Sequence, residues 1–386
     1  MGRLRVGVVY GGRSSEHEVS LASAAAIFGQ IDRDRYDPIP LFIDKSGRWH
    51  VADSPPSTES AGAVIARSRE AGTLSAAGTE AHLVAHPALN PLLTIARDAP
   101  RAVEAPDADR ATVAELALDV VFPIVHGPFG EDGTLQGLLE LANVPYVGAG
   151  VLGSAVAMDK AVAKVLLRAH GLPVVPGCVV GGVEWETDPD GVIERIEATF
   201  DYPLFVKPAN LGSSVGVSRA ADAEGLRSAL AVAWTFDDKL VVEVAVPAAR
   251  EIECSVLGNE APEASVPGEV IPSGDFYDYE AKYLDDRSEI VIPAPLSTAR
   301  TAQVRGLAID AYRALDCAGM ARVDFLLDEA SDRLYVNEAN TLPGFTAISQ
   351  YAKLWAASGL PYPALIDRLI GYALARHRRR QRLRSS

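Results

Sequence analysis

The segment 319–346, GMARVDFLLDEASDRLYVNEANTLPGFT, constrains this chain more than any other. Two short apolar runs, Ala321–Leu327 and Arg333–Val336, flank a polar turn at Asp328–Asp332, the pattern of a β-hairpin. Side chains alternate faces along a strand, so Arg322 and Asp324 share one face, and Glu338 and Asn340 share one. If the strands pair, two carboxylates, a carboxamide oxygen and a guanidinium meet at one place. All-oxygen donors of this kind suit Mg²⁺. An arginine beside them suits the stabilisation of negative charge developing on a reacting group. A nucleotide-dependent enzyme would be built this way. The same alternation also marks the wet face of a half-solvated sheet, so spacing alone leaves both readings open.

A chain of 386 residues has room for two or three domains. With 48% hydrophobic residues it reads as globular, and no apolar run approaches the roughly 18–20 residues of a membrane span. The amino-terminal MGRLRVGVVYGG runs from a short apolar stretch straight into a glycine turn, which reads as a first strand rather than a signal peptide. The isolated cysteines Cys178, Cys254 and Cys317 fit a reducing cytoplasm without a disulfide framework or zinc site. A net charge of −15 argues against general nucleic-acid binding. The one basic cluster, Arg376–Arg384, is expected as a solvated helix end.

The pattern Arg5–Tyr10 strand, Ser20–Phe28 helix, Pro38–Ile43 strand predicts a parallel sheet in a doubly wound, Rossmann-like domain. Residues 52–109, rich in Ala, Pro, Ser and Thr, read as a partly irregular insertion. Leu118–Val125 and Val144–Val147 read as strands around a helix at Thr134–Ala142, closing a first domain near 148. A central α+β segment over 149–243 follows, with a helix at Val151–His170, a Pro/Gly-rich connection at Gly171–Gly177, strands Leu204–Pro208 and Lys239–Glu243, and a helix at Ala221–Trp234. The segment 244–375 holds a strand at Glu251–Leu257, a helix near Thr298–Leu315, the hairpin and a terminal helix from Tyr362; the basic tail occupies 376–386.

Several short segments carry candidate chemistry beside a plainer reading. Lys207 ends a strand ahead of Gly212-Ser213-Ser214-Val215-Gly216, where glycine frees backbone N–H groups to approach phosphate and lysine supplies a point charge. The lysine precedes the glycines, so this is no P-loop, and a Gly/Ser turn reads the same way. Lys160, at a helix start, could add to a phosphate site or be a surface lysine. Lys239–Glu243 with Glu251 beyond it has the form of a hinge whose backbone reads an adenine edge and whose acid takes a ribose hydroxyl, or of an ordinary strand and turn. Phe276–Tyr283, FYDYEAKY, suits a lid over a reactive intermediate or a surface loop. The loop GGRSSEHEVS lacks G-x-G-x-x-G and a well-placed acid, which excludes NAD; Glu16 could instead hold an ammonium group. His126 stands at a strand's carboxyl end, where open α/β sheets bind ligands, or is a satisfied loop histidine.

Taken together, GGRSSEHEVS, HGPFGEDGTLQG, PYVGAGVLGSAVAMDK, VKPANLGSSVGVS, REIECSVLG, FYDYEAKY and ARVDF…NEANTLPGFT resemble, in order, the D-alanine–D-alanine ligase family of the ATP-grasp superfamily. The resemblance covers Arg5 to about Leu374 apart from the 52–109 insertion. It implies an ATP-grasp fold and a cytoplasmic ligase that joins two D-alanines for peptidoglycan. It further implies two Mg²⁺ or Mn²⁺ ions on Asp324, Glu338 and Asn340, and phosphate neutralisation by Lys160, Lys207 and Lys282 under a Ser213-Ser214 loop. Adenine would be read by Glu243 and the backbone from Val244 to Val246, and ribose by Glu251. Glu16 would hold the first D-alanine's ammonium; Arg322 and the Gly344 N–H would stabilise the oxyanion. Ser349 and Lys282 would hold the second carboxylate, and Tyr283 would link to Ser213 and Glu16. A Tyr at 283 goes with D-alanine as second substrate in the family, where His goes with D-lactate. A homodimer and a monovalent cation such as K⁺ are implied in the same way. The chain departs from many relatives at Ala339, where they carry a larger apolar residue, and in the length of its insertion.

Overall fold

The computed structural model describes residues 2–56, 62–64, 78–88, 90–97, 111–271, 289–346 and 349–383. The chain divides into two compact units: Met1–Gly148 with Gly344–Ser349 and Pro361–Ser386, and Ala149–Pro343 with Gln350–Leu360.

The first unit is built on a sheet of β1 (Leu4–Gly11), β2 (Tyr36–Ile43), β3 (Trp49–Ala52), β4 (Gly78–Leu83), β5 (Leu92–Arg97), β6 (Ala111–Leu116) and β7 (Val120–Pro123), in the order β6-β5-β4-β3-β2-β1-β7. β1 runs parallel to both β2 and β7, as the strand–helix–strand order predicts. From β2 outward the pairing turns antiparallel, so the sheet is mixed rather than wholly parallel. In its described parts the 52–109 segment is therefore an extension of the sheet. Its strands escaped notice because few of their residues reach the core: β4 buries only Ala81, which leaves no apolar alternation to read. The expected strand at Val144–Val147 reduces to a single bridge between Val121 and Tyr146.

The helix His17–Gln30 is buried on most of its circumference, with Ala22, Ala24 and Ala25 allowing close approach beside Val19, Ile27 and Phe28. The helix Tyr362–Gln381, expected to close the third segment, belongs to this unit. It turns Leu365, Ile366, Leu369, Ile370 and Ala373 inward, one apolar stripe of helical period. Its basic end is not simply solvated: Arg376 donates to the carbonyls of Gly148 and Tyr146 and stacks 4.6 Å over the Tyr146 ring, and Arg380 pairs with Glu140.

The second unit holds two antiparallel sheets. The smaller comprises β8 (Gly177–Gly181), β9 (Leu204–Pro208), β10 (Ser218–Ala220) and β11 (Lys239–Val244), in the order β10-β9-β11-β8. Helices Gly182–Thr187, Pro189–Glu197 and Ala223–Trp234 cover it, burying Trp185, Ile193, Ile196, Leu226 and Leu230. The larger comprises β12 (Arg250–Gly258), β13 (Glu263–Ala264), β14 (Gly268–Ile271), β15 (Glu289–Val291), β16 (Gly319–Asp328) and β17 (Arg333–Asn340), in the order β15-β14-β12-β16-β17 with β13 on β12. Helices Thr298–Ala314 and Lys160–Ala169 pack over it around Val304, Ala308, Tyr312, Phe325 and Leu167.

The helix expected over Val151–His170 is two, Val151–Met158 and Lys160–Ala169. The break falls at Asp159, whose extended backbone (ψ 98°) frees its side chain to accept from the Val162 N–H and cap the second helix. Asp159 Oδ2 also meets Lys239 on β11. Asp159→Ala should therefore cost about 1 kcal/mol in a urea titration, the usual value of a lost cap. An unchanged midpoint would show that the break is held by packing alone.

Candidate active site

In the second unit a cavity of about 750 Å³ opens between the two sheets. Lys160, Lys207, Ser213, Ser214, Glu243, Val244, Val246, Glu251, Arg322, Asp324 and Glu338 all line it. Every candidate nucleotide and metal residue in this unit is thus on its wall, except Lys282, which lies outside the described residues, and Asn340, which reaches it through Asp324.

The hairpin supplies one wall. In the β16–β17 register Arg322 faces Asn340 and Asp324 faces Glu338, as strand alternation predicts. Beyond this the register shifts, Phe325 pairing with Val336, so Asn337 is an extra residue in a β-bulge. The bulge puts Asn337 and Glu338 on the same cavity wall, which strict alternation forbids. Arg322 forks onto Asp324 with two bonds of 2.7 Å and lies 3.1 Å from Glu253. Burial alone would lower the arginine pKa, but Asp324 and Glu253 carry it well above its usual value, so the guanidinium stays charged. Asn340 donates to Asp324 Oδ2 at 3.0 Å.

The two carboxylates test the fit of a divalent ion. Among the described residues no group of three or more His, Cys, Asp and Glu is arranged to hold a metal. Two hairpin carboxylates at the cavity wall, with the Asn340 carboxamide beside Asp324, fit instead the sparse protein ligation of Mg²⁺, whose remaining positions go to phosphate oxygens and water.

The opposite wall carries the cations. Lys160 Nζ lies 3.5 Å from Glu338 and donates to the Leu211 carbonyl at 2.5 Å, tying the helix start to the glycine-rich loop. In that loop Ser213 and Ser214 have φ of 52° and 58°, a left-handed backbone that costs non-glycine residues about 1–2 kcal/mol each. Strain of this kind gathers at ligand clamps, and successive N–H groups in such turns make anion concavities.

Glu243 accepts from Lys207 at 2.8 Å on one oxygen and pairs with Lys164 on the other. Burial would raise its carboxyl pKa; Lys164 and Lys207 overcome that and hold it at about 2. Lys164 is itself pulled below the usual lysine value by burial, whereas for Lys207 the attraction of Glu243 outweighs burial and raises it. A depressed carboxyl stabilises the fold above its unfolded pKa of about 4.3, and that contribution is lost as pH falls towards about 2. Urea midpoints should fall over this window in the wild type and fall less in Glu243→Gln. Equal slopes would contradict the pairing.

Glu16, Gly344 and Ser349 belong to the first unit. Glu16 begins the helix His17–Gln30 and is 6% exposed. Its carboxylate lies over Gly127, where an added Cβ would meet Glu16 Oε2 at 2.8 Å and where φ is +75°, so only glycine leaves the carboxylate room. His126 Nε2 lies 3.0 Å from Ser23 Oγ, which also accepts from the Phe345 N–H at 3.2 Å, beside Gly344. Ser349 Oγ accepts from the Thr346 N–H at 2.9 Å and lies close to Gly344. Tyr283 lies outside the described residues.

Sequence reasoning missed Lys164, Glu253 and Asn337. Lys164 falls one helical turn after Lys160 and Glu253 alternates with Glu251 on β12, so both had a periodic signal. The bulge that exposes Asn337 had none.

Two antiparallel sheets closing on a cavity lined with lysines and hairpin carboxylates define an ATP-grasp protein. The model of the D-ala D-ala ligase N-terminus matches residues 5–149 and that of the D-ala D-ala ligase C-terminus residues 166–371. The D-alanine–D-alanine ligase of Natranaerobius thermophilus is 43% identical over 99% of this chain and 98% of its own length. That of Thermoanaerobacter sp. is 46% identical over 98% of each. Among solved structures, the D-alanine–D-alanine ligase from Coxiella burnetii is 37% identical with a TM-score of 0.76, covering 98% of this chain and 97% of that one. The VanG D-Ala:D-Ser ligase from Enterococcus faecalis is 31% identical with a TM-score of 0.79, covering 96% and 100%. This chain belongs to the D-alanine–D-alanine ligase family.

Proposed function

We propose that this protein joins two D-alanines to D-alanyl-D-alanine at the expense of ATP, making the dipeptide for peptidoglycan. The observation that carries the reading is the single cavity that gathers Lys160, Lys207, Arg322, Asp324 and Glu338. A carboxylate is a poor acyl donor. Its oxygen therefore attacks the γ-phosphorus of ATP, the bond to ADP breaks, and an acyl phosphate forms. The neutral amine of the second D-alanine attacks the carbonyl carbon; phosphate leaves and the amine proton passes to solvent.

Lys160, Lys207 and Lys282 offset the phosphate charge, and the N–H groups around Ser213 and Ser214 close on it. The main chain from Glu243 to Val246 reads adenine and Glu251 takes the ribose. Glu16 holds the first substrate's ammonium. Arg322 and the Gly344 N–H receive the oxyanion, Ser349 and Lys282 the second carboxylate, and Tyr283 links to Ser213 and Glu16. Asp324, Glu338 and Asn340 would hold two Mg²⁺ or Mn²⁺ ions, which supply charge neutralisation along the phosphates. A homodimer, a monovalent cation such as K⁺ and a cytoplasmic location complete the reading. Among the described residues no helix is long and apolar enough to cross a membrane.

Phosphate release with ATP and Mg²⁺ should depend on D-alanine and give a dipeptide mass. Adding D-serine or D-lactate in competition should leave D-alanyl-D-alanine as the main product, as Tyr283 implies. Phosphate release indifferent to D-alanine would refute the ligase reading. Tyr283→Phe should retain much of the activity, since the family uses Phe there; its complete loss would assign the hydroxyl a larger part.

A further inference from the structure

Two ammonium groups share one buried carboxylate behind the cavity. Lys207 meets Glu243 Oε2 at 2.8 Å from the cavity side, while Lys164 closes on Oε1. The Glu243 side chain is 2% exposed and that of Lys164 8%. Lys207 and Glu243 line the cavity wall and Lys164 does not, so Lys164 meets nothing bound there directly. It lies one turn beyond Lys160 on the same helix. Lys207 also approaches Asn337 Oδ1 at 3.4 Å, on the bulge of the hairpin.

We propose that Lys164 is a positioning residue for nucleotide binding: by taking one oxygen of Glu243 it keeps Lys207 only partly neutralised, leaving its charge for phosphate. The inference rests on the nucleotide reading of the cavity and adds to it a residue that touches no substrate. Two ammoniums on one carboxylate leave a net charge of plus one. Without Lys164 the cluster is neutral, and Lys207 becomes the sole partner of a buried carboxylate, which draws it back from the cavity. A lysine that merely stabilised the fold would leave nucleotide affinity unchanged once the protein had folded.

The test is calorimetric titration of the full-length protein with a β,γ-imido ATP analogue and Mg²⁺, without D-alanine. Lys164→Met should bind about tenfold more weakly, about 1.4 kcal/mol, with KM for ATP rising in step and kcat nearly unchanged. Lys164→Arg should keep the affinity. Lys164→Gln, which keeps a donor for Glu243 but no charge, should lose affinity by about the same factor. Unchanged affinity in Lys164→Met overturns the proposal, as does a Lys164→Gln variant that binds like the wild type. If Lys164→Met fails to melt cooperatively, Lys164→Gln decides alone: a loss of about tenfold upholds the role and wild-type affinity overturns it. A wild type that does not bind the analogue removes the nucleotide reading and this inference with it, a result distinguishable because no variant is involved.

Discussion

Glu338→Gln should lower kcat by about 10²–10³ while the protein folds as before. The substitution keeps the shape of the side chain and removes one charge from the hairpin wall. The Glu338 side chain is 25% exposed, and its ion pair with Lys160 is 3.5 Å long. Little stability depends on so long a pair. The loss should appear in turnover, because a carboxylate that would hold a divalent ion beside the phosphates would act most strongly as charge shifts from the γ-phosphoryl group to ADP. Steady-state kinetics beside a thermal melt separate the two effects. Activity near that of the wild type would remove Glu338 from the metal set, and a large fall in Tm would make it structural.

Arg322→Met should do the reverse, damaging stability and activity together. Asp324 and Glu253, with side chains 15% and 7% exposed, both rest on this guanidinium. Removing it leaves two nearly buried carboxylates facing each other across β12 and β16, where Glu253 and Asp324 are register partners. Breaking such a pair costs about 3–5 kcal/mol, read as a fall in the urea midpoint. Arg322→Lys restores a charge without the planar fork that grips both oxygens of Asp324. It should recover part of the stability but little of the turnover. Full activity in the lysine variant would show that charge alone suffices and that the fork has no part in stabilising the oxyanion.

The two sets of residues differ in how openly the sequence declared them. Arg322, Asp324, Glu338 and Asn340 were legible because alternation along paired strands is a local rule, and the hairpin obeys it across the pairs that matter. Asn337 was hidden because a bulge breaks that rule at one residue, with nothing in the composition to mark it. Lys164 was hidden for another reason. A lysine in an amphipathic helix reads as solvated unless its partner is known, and Glu243 lies far away in sequence on β11.

The fold shows the same division. β1, β2 and the helix between them form a compact local pattern, and their apolar runs mark them. β4 to β6 hold their places through strand pairing at the outer part of the sheet, which leaves little apolar alternation to read. The helix Gln350–Ala357 buries Tyr351, Leu354 and Trp355 against the second unit, but it is too short for its period to stand out from the neighbouring loops. The division of the helix at Asp159 turns on one side chain that caps more favourably than it propagates. The ordered motifs carried the family resemblance because they join residues from both units, from the loop after β1 to the hairpin of β16 and β17.

The central claim is that the first D-alanine is activated through its own carboxylate, and oxygen transfer tests it most directly. D-alanine carrying ¹⁸O in both carboxyl oxygens is converted with ATP and Mg²⁺, and the released phosphate is weighed by mass spectrometry. An acyl phosphate requires one labelled oxygen in each phosphate, because the oxygen that attacks phosphorus leaves with it when the amine takes the carbonyl carbon. Unlabelled phosphate alongside dipeptide would contradict the account, since ATP would then be cleaved by water and the peptide bond made another way.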